Sequence, residues 1–161
     1  MGVAKTVNSL VDLAVTVCGF AVEPWRCGML RGMKLGRTAP VFQVSDVGAT
    51  MKWYEEAIGF SGGGFPKSPP FVFGIMTRDE VEIMLQRVED FTKVDTYDRR
   101  DGGCWHVYVR MEGVKAFYDL VKARADVTVL EPLRRQPYGD TEFVVKDPNG
   151  YVLVFSELVG G

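Results

Sequence analysis

Two stretches of this chain can be laid on each other. Ala39-Pro40-Val41-Phe42-Gln43-Val44-Ser45-Asp46-Val47 matches His106-Val107-Tyr108-Val109-Arg110-Met111-Glu112-Gly113-Val114 in its order of apolar and polar positions. Helical patterns follow both at the same offset, with Trp53-Tyr54 falling near Leu120-Val121. A repeat of this size means one structural unit used twice. Neither unit could bury both faces of a sheet alone. Two such sheets facing each other would form a curved cleft.

The punctuation gives each unit its parts. Ala39–Ser45 alternates as a strand does, and Asp46 stands where a helix N-cap belongs, ahead of Val47–Ile58 with Gly59 as its stop. Gly62-Gly63-Gly64 and Pro66–Pro70 read as turns. Phe71–Thr77 and Val81–Arg87 read as strands joined by a tight turn at Arg78-Asp79-Glu80. Glu89–Gly103 is polar and reads as a linker. In the second unit, Trp105–Met111 is a strand and Gly113–Ala125 a helix. Val127–Leu130, Glu142–Lys146 and Tyr151–Glu157 are strands, with a loop at Arg134–Gly139 and a turn at Asp147–Gly150. The expected fold is α+β: two βαβββ modules, about 38–88 and 104–158, forming a curved mixed sheet around a cleft.

Residues 1–37 read differently. Leu10, Val11, Leu13, Ala14, Val17 and Val22 could form one face of a short helix, ended by Glu23-Pro24-Trp25-Arg26-Cys27-Gly28. This extension carries five basic and two acidic residues, a net of +3; residues 38–161 carry fourteen basic and nineteen acidic, a net of −5. An acidic domain argues against nucleic acid as a partner and favours a neutral or cationic small ligand. Cys18, Cys27 and Cys104 are odd in number and form no CxxC, which points to a reducing compartment such as the cytoplasm. No apolar run is long enough to span a membrane. Ser9–Val22 makes a poor signal segment, because Asp12 interrupts it.

Several phrases resemble the vicinal oxygen chelate superfamily of glyoxalases, bleomycin-resistance proteins and extradiol dioxygenases. They are Ala39–Asp46, Trp53-Tyr54-Glu55-Glu56-Ala57-Ile58-Gly59-Phe60, Pro137-Tyr138-Gly139-Asp140-Thr141-Glu142-Phe143, and the turn Asp147-Pro148-Asn149-Gly150-Tyr151. The Pro-aromatic-Gly loop is most similar to the bleomycin-resistance branch. The resemblance implies four metal-ligand positions, on the first and last strands of each module, and these carry over to Ala39, Met84, His106 and Val154. Three of the four offer no donor for a hard or borderline cation, and a catalytic divalent site needs about three nitrogen or oxygen ligands. Glu157, three residues past Val154, falls on the other strand face. The resemblance therefore implies neither a metal site nor a cofactor, and no catalytic residue is assigned.

Strand alternation then gives the residues that face the cleft. Gln43, Phe73, Glu82, Met84, Trp105, His106, Tyr108, Arg110 and Val154 are the expected ligand contacts: apolar walls with a few polar groups, as small-molecule pockets use. Aromatic faces beside Glu82 would suit a planar or cationic compound. His106 can equally be a hydrogen-bonded core histidine, and Glu82 and Arg110 a salt bridge across the cleft. The expected function is metal-independent binding of a small molecule, such as an antibiotic, acting by sequestration. The resemblance implies a homodimer with a shared cleft. A metal-dependent glyoxalase-type lyase or isomerase, and a ligand-sensing interaction module, are the alternatives.

Overall fold

The computed structural model describes residue 34, residues 36–97 and residues 103–158. The apolar helical pattern of residues 10–22 and the charged run 98–101 lie outside them.

Among the described residues, ten elements alternate as the duplication requires. Module one holds β1 (Val41–Val44), α1 (Val47–Ile58), β2 (Ser61–Phe65), β3 (Phe73–Arg78) and β4 (Val81–Arg87). Module two holds β5 (Val107–Arg110), α2 (Val114–Val121), β6 (Thr128–Arg135), β7 (Asp140–Lys146) and β8 (Val152–Leu158). Each module forms a four-stranded mixed sheet with the same order: β1-β4-β3-β2 in sheet A and β5-β8-β7-β6 in sheet B. The two parallel pairs even share a register. Val41 lies opposite Met84, and Tyr108 opposite Val154.

Caps set where the helices begin and end. The Asp46 carboxylate accepts the Ala49 N–H, and Gly59 stops α1 in the left-handed conformation, φ 73°. Helix α2 starts at Gly113, whose side chain can offer nothing. Glu157 of β8 supplies the acceptor instead, taking the Gly113 N–H at 2.9 Å and the Val114 N–H at 3.1 Å. Glu157 therefore faces the helix, away from the concave side.

Three expectations need correction. Gly62–Gly64 is not a turn but the middle of β2, paired along its length with β3. Strand β6 runs on to Arg135, through Pro132 and two register shifts, so the expected loop shortens to the residues after it. Helix α2 ends at Val121, four residues before the expected Ala125.

One hydrophobic core joins both modules. It runs from Phe42, Val44, Tyr54 and Leu85 to Phe117, Phe143, Leu153 and Phe155. Phe42 stacks on Tyr151 at 3.9 Å between ring centroids. The Tyr151 hydroxyl accepts the Gln43 N–H and donates to the Gln43 carbonyl, both at 2.9 Å, so a phenol occupies the free edge of β1. Trp53 is buried and donates its indole N–H to the Asp126 carbonyl. The turn carboxylate of Asp147 accepts the Asn149 and Tyr151 N–H groups and the Tyr54 hydroxyl. Burial still pushes it up to about 6.

Candidate functional site

The faces of the two sheets turned away from the helices can be read in rows across the strands. In sheet A one row is Val41, Met84, Ile75 and Gly63, and the next is Gln43, Gln86, Phe73 and Phe65. The equivalent rows in sheet B are Tyr108, Val154, Val144 and Glu131, then Arg110, Ser156, Glu142 and Arg134. Duplicated positions thus carry different chemistry.

Sheet A's face is open and mostly apolar. Val41, Ile75 and Phe65 are 51%, 38% and 67% exposed, with Met84 and Phe73 half-buried beside them. Gln43, Glu82 and Gln86 add polar groups on the same face. Gly63 leaves its part of the floor flat, since a Cβ there would meet nothing within 4 Å. Four of the expected contacts, Gln43, Phe73, Glu82 and Met84, therefore lie together on one accessible surface. Phe71 does not join them. It packs on the helix side, against Gly48 and Gly64.

Sheet B's face is closed. Val144, Val152 and Val154 are buried to 1% or less and are covered by Tyr97, Tyr108 and Leu130. His106 is held at both ring nitrogens. Nδ1 accepts the Val152 N–H at 2.9 Å, so the proton sits on Nε2, 3.4 Å from the Thr96 hydroxyl. Burial lowers its pKa, in keeping with a ring that must stay neutral to accept that bond.

Below His106 on the same face lies a cluster of which the expected contacts included Tyr108, Arg110 and Trp105 but not the acids and the serine that Tyr108 and Arg110 meet. The Tyr108 hydroxyl sits 2.8 Å from Glu142 Oε2, 2.8 Å from Ser156 Oγ and 3.0 Å from Asp140 Oδ2. Tyr138 donates to Glu142 Oε1 at 2.7 Å, and Ser156 donates to Asp140 at 3.0 Å. Arg110 pairs with Asp140 at 2.9 Å, not with Glu82, the alternative to a ligand contact. Asp140, Glu142 and Ser156 are buried, whereas the Arg110 side chain is 64% exposed. Burial and the neighbouring acids push the Tyr108 phenol up to about 12. Burial alone would raise the Asp140 carboxyl, but Ser156, Tyr108 and Arg110 outweigh it and hold it low. Trp105, 45% exposed, stands 5.7 Å from the Tyr108 ring, and Tyr138 is 58% exposed. Together these make an acidic floor with an aromatic rim and one guanidinium already seated on it. Glu142 was not assigned a role because its partners come from β5 (Tyr108) and the preceding loop (Tyr138), which spacing does not bring together.

Residues 34–155 match the family model described as the Glyoxalase/Bleomycin resistance protein/Dioxygenase superfamily. The chain belongs to that superfamily. Among solved structures it is similar to TioX from Micromonospora sp. ML1, with a TM-score of 0.62 at 17% identity, covering 77% of this chain and 99% of that one. It is also similar to a glyoxalase-related enzyme from Clostridium phytofermentans, with a TM-score of 0.60 at 21% identity, covering 80% and 99%. The bleomycin-binding protein of bleomycin-producing Streptomyces verticillus, solved with copper(II)-bleomycin, gives a TM-score of 0.54 at 19% identity, covering 80% and 99%. At these identities the likeness is one of fold. No curated protein matches the chain.

The superfamily's metal positions can now be tested against the residues that fill them. Ala39 and Val154 have no donor atom, Met84 has only a thioether, and Val154 is fully buried. His106 spends Nδ1 on the backbone and turns Nε2 to Thr96. These residues do not fit a divalent ion of hard or borderline character. Among the described residues, no three His, Cys, Asp or Glu side chains come together as a metal site would need. Likewise, no described helix is long and apolar enough to cross a membrane.

Proposed function

We propose that this chain binds a small planar or cationic compound without a metal ion and acts by sequestering it, in the manner of a bleomycin-resistance protein. The observation that carries this reading is the open face of sheet A. A large apolar surface left in water, edged by a few polar groups, marks a binding face rather than a core. Gln43, Phe73, Glu82 and Met84 are the proposed contacts there, with Trp105 and Arg110 from sheet B. His106, Tyr108 and Val154 belong to the face of sheet B, where they are proposed to support the ligand rather than to meet it first.

The acidic floor of sheet B supports a cationic ligand. A charged amine or guanidine could take the place of the exposed Arg110 head at Asp140 and rest against the Trp105 and Tyr138 rings. A lyase or isomerase relying on a divalent ion has less support, since its ligand positions are Ala39, Met84 and Val154. We further propose that residues 38–161 are the binding domain and residues 1–37 a separate extension. A second copy of the chain is the proposed partner closing sheet A's face, in a reducing, cytoplasmic setting.

A thermal-shift measurement tests the reading. Proflavine and ethidium serve as planar cations, anthracene sulfonate as a planar anion, and Zn²⁺ and EDTA as metal controls. A binder at 100 times its dissociation constant should add about 2.7 kcal/mol of apparent stability. The cations are expected to raise the melting temperature, and EDTA to leave it unchanged. A fall with EDTA that Zn²⁺ reverses would replace the reading with a metal-dependent one.

A further inference from the structure

Part of the cover over sheet B, the Tyr97 ring, comes from chain that belongs to no strand, and Tyr108 of β5 and Leu130 of β6 supply the rest. Residues 91–97 have no regular structure, and hydrogen bonds at Val94, Thr96 and Tyr97 tie them to module two. The Val94 N–H donates to the Asn149 carbonyl at 2.9 Å. The Thr96 hydroxyl meets His106 Nε2 at 3.4 Å, and the Tyr97 phenol donates to Glu131 Oε1 at 2.8 Å. Gly150, φ 92°, makes the first contact possible, because a Cβ there would stand 1.6 Å from the Val94 carbonyl oxygen. The Tyr97 ring itself packs on Val144, Val152 and Val154 beside Tyr108 and Leu130.

The duplicated positions in sheet A show what this face would be without the strap. There Val41 and Ile75, the equivalents of Tyr108 and Val144, are exposed. The equivalent face is thus covered in only one module, where a half-buried aromatic side chain with its donor satisfied at the far end lies on it beside Tyr108 and Leu130. A flat ring, an apolar floor and one aimed carboxylate acceptor are the elements of an aromatic-ligand pocket.

We propose that Tyr97 is a stand-in ligand. The pocket between Tyr108, Leu130, Glu131 and the Val144–Val152–Val154 floor takes a planar aromatic group bearing a hydrogen-bond donor, and the 91–97 strap swings aside to admit it. The assignment rests on the binding role proposed above and adds a second subsite to it, for the phenol-like portion of a ligand. In the closed form the strap competes with that group. The apparent affinity is therefore lower than the pocket's own by the fraction of molecules in which the strap is open.

The test uses p-cresol, the tyrosine side chain as a free molecule, on the full chain. Tyr97→Ala is expected to bind p-cresol at least roughly tenfold more tightly than wild type by calorimetry, because the competitor is gone. Toluene, which lacks the donor, should bind that variant more weakly than p-cresol. In wild type, saturating p-cresol should speed hydrogen exchange at the Val94 amide as the strap leaves. Tyr97→Leu, which keeps an apolar cover, provides the same affinity comparison if the alanine variant does not fold. Equal p-cresol affinity in wild type and variant, or p-cresol binding with Val94 still protected, would overturn the proposal. If proflavine stabilises the wild type while neither variant binds p-cresol, the binding function stands and the strap is removed from it. If proflavine fails and p-cresol binds as expected, the pocket stands and the cationic reading falls.

Discussion

His106 titrates against its own backbone contact. In the folded chain its pKa lies below the usual 6.5, because burial disfavours the imidazolium and Nδ1 must stay bare for the Val152 N–H. The unfolded chain therefore binds protons first as pH falls. Stability from this group is present above about pH 6.5 and is lost as pH drops below that value. Asp147 runs the other way. Its carboxyl is raised from 3.8 to about 6, so its share of stability is present below the lower value and fades as pH climbs through the higher one. His106→Gln isolates the first effect. The gap in urea-unfolding free energy between wild type and variant should narrow as pH goes from 7.5 to 5, and a constant gap would rule the account out. The sequence left His106 open between core and ligand because its deciding partner, the Val152 N–H, arrives on a strand 46 residues away. Arg110 is a similar case. Alternation placed it on the concave face, with Glu82 as a candidate partner across the cleft, but the carboxylate it meets belongs to Asp140, at the start of a strand read as beginning only at Glu142.

Strand β2 carries the sharpest contrast between neighbours at the level of an element. A Cβ on Gly62 would stand 1.9 Å from the Ile75 carbonyl oxygen, whereas one on Gly63 would meet nothing within 4 Å. Gly62→Ala should cost more than about 2 kcal/mol, because backbone must shift to admit it. Gly63→Ala should be neutral or stabilising by up to about 1 kcal/mol, since it restricts the unfolded chain at no steric cost. Thermal melts of the two variants decide this, and equal losses would contradict it. The same glycines explain why the strand was not legible. Gly-Gly-Gly has low strand propensity and reads as a turn, and only pairing with β3 makes it a strand. Elements with strong local determinants were legible: α1 from its Asp46 cap and Gly59 stop, and β8 from the turn before it. Helix α2 was overextended because its start is capped from a distant strand and its end bears no glycine.

The two modules stand or fall together across the whole molecule. Phe42 and Gln43 of module one meet Tyr151 of module two through a ring stack and a doubly used hydroxyl. Tyr151→Phe should keep the stack and lose both hydrogen bonds, leaving the Gln43 N–H without that partner, at a cost of about 1–3 kcal/mol. Unfolding followed by circular dichroism and by tryptophan fluorescence should give coincident single transitions, in wild type and variant alike. Separated transitions would mean that the modules fold independently. The duplication was legible as pattern, and with it the order of elements apart from β2. The asymmetry between the halves was not, because it depends on a linker crossing one sheet and leaving the other bare. That bareness has a consequence for descent. Substitutions at Val154, Glu142 or Ser156 disturb packing and are filtered by stability before any effect on a ligand is felt. Substitutions at Val41, Phe65, Ile75 or Gln86 disturb little that holds the chain together. A lineage carrying this domain can therefore drift at those four positions and acquire new chemical targets, while the other copy of the repeat keeps the scaffold standing.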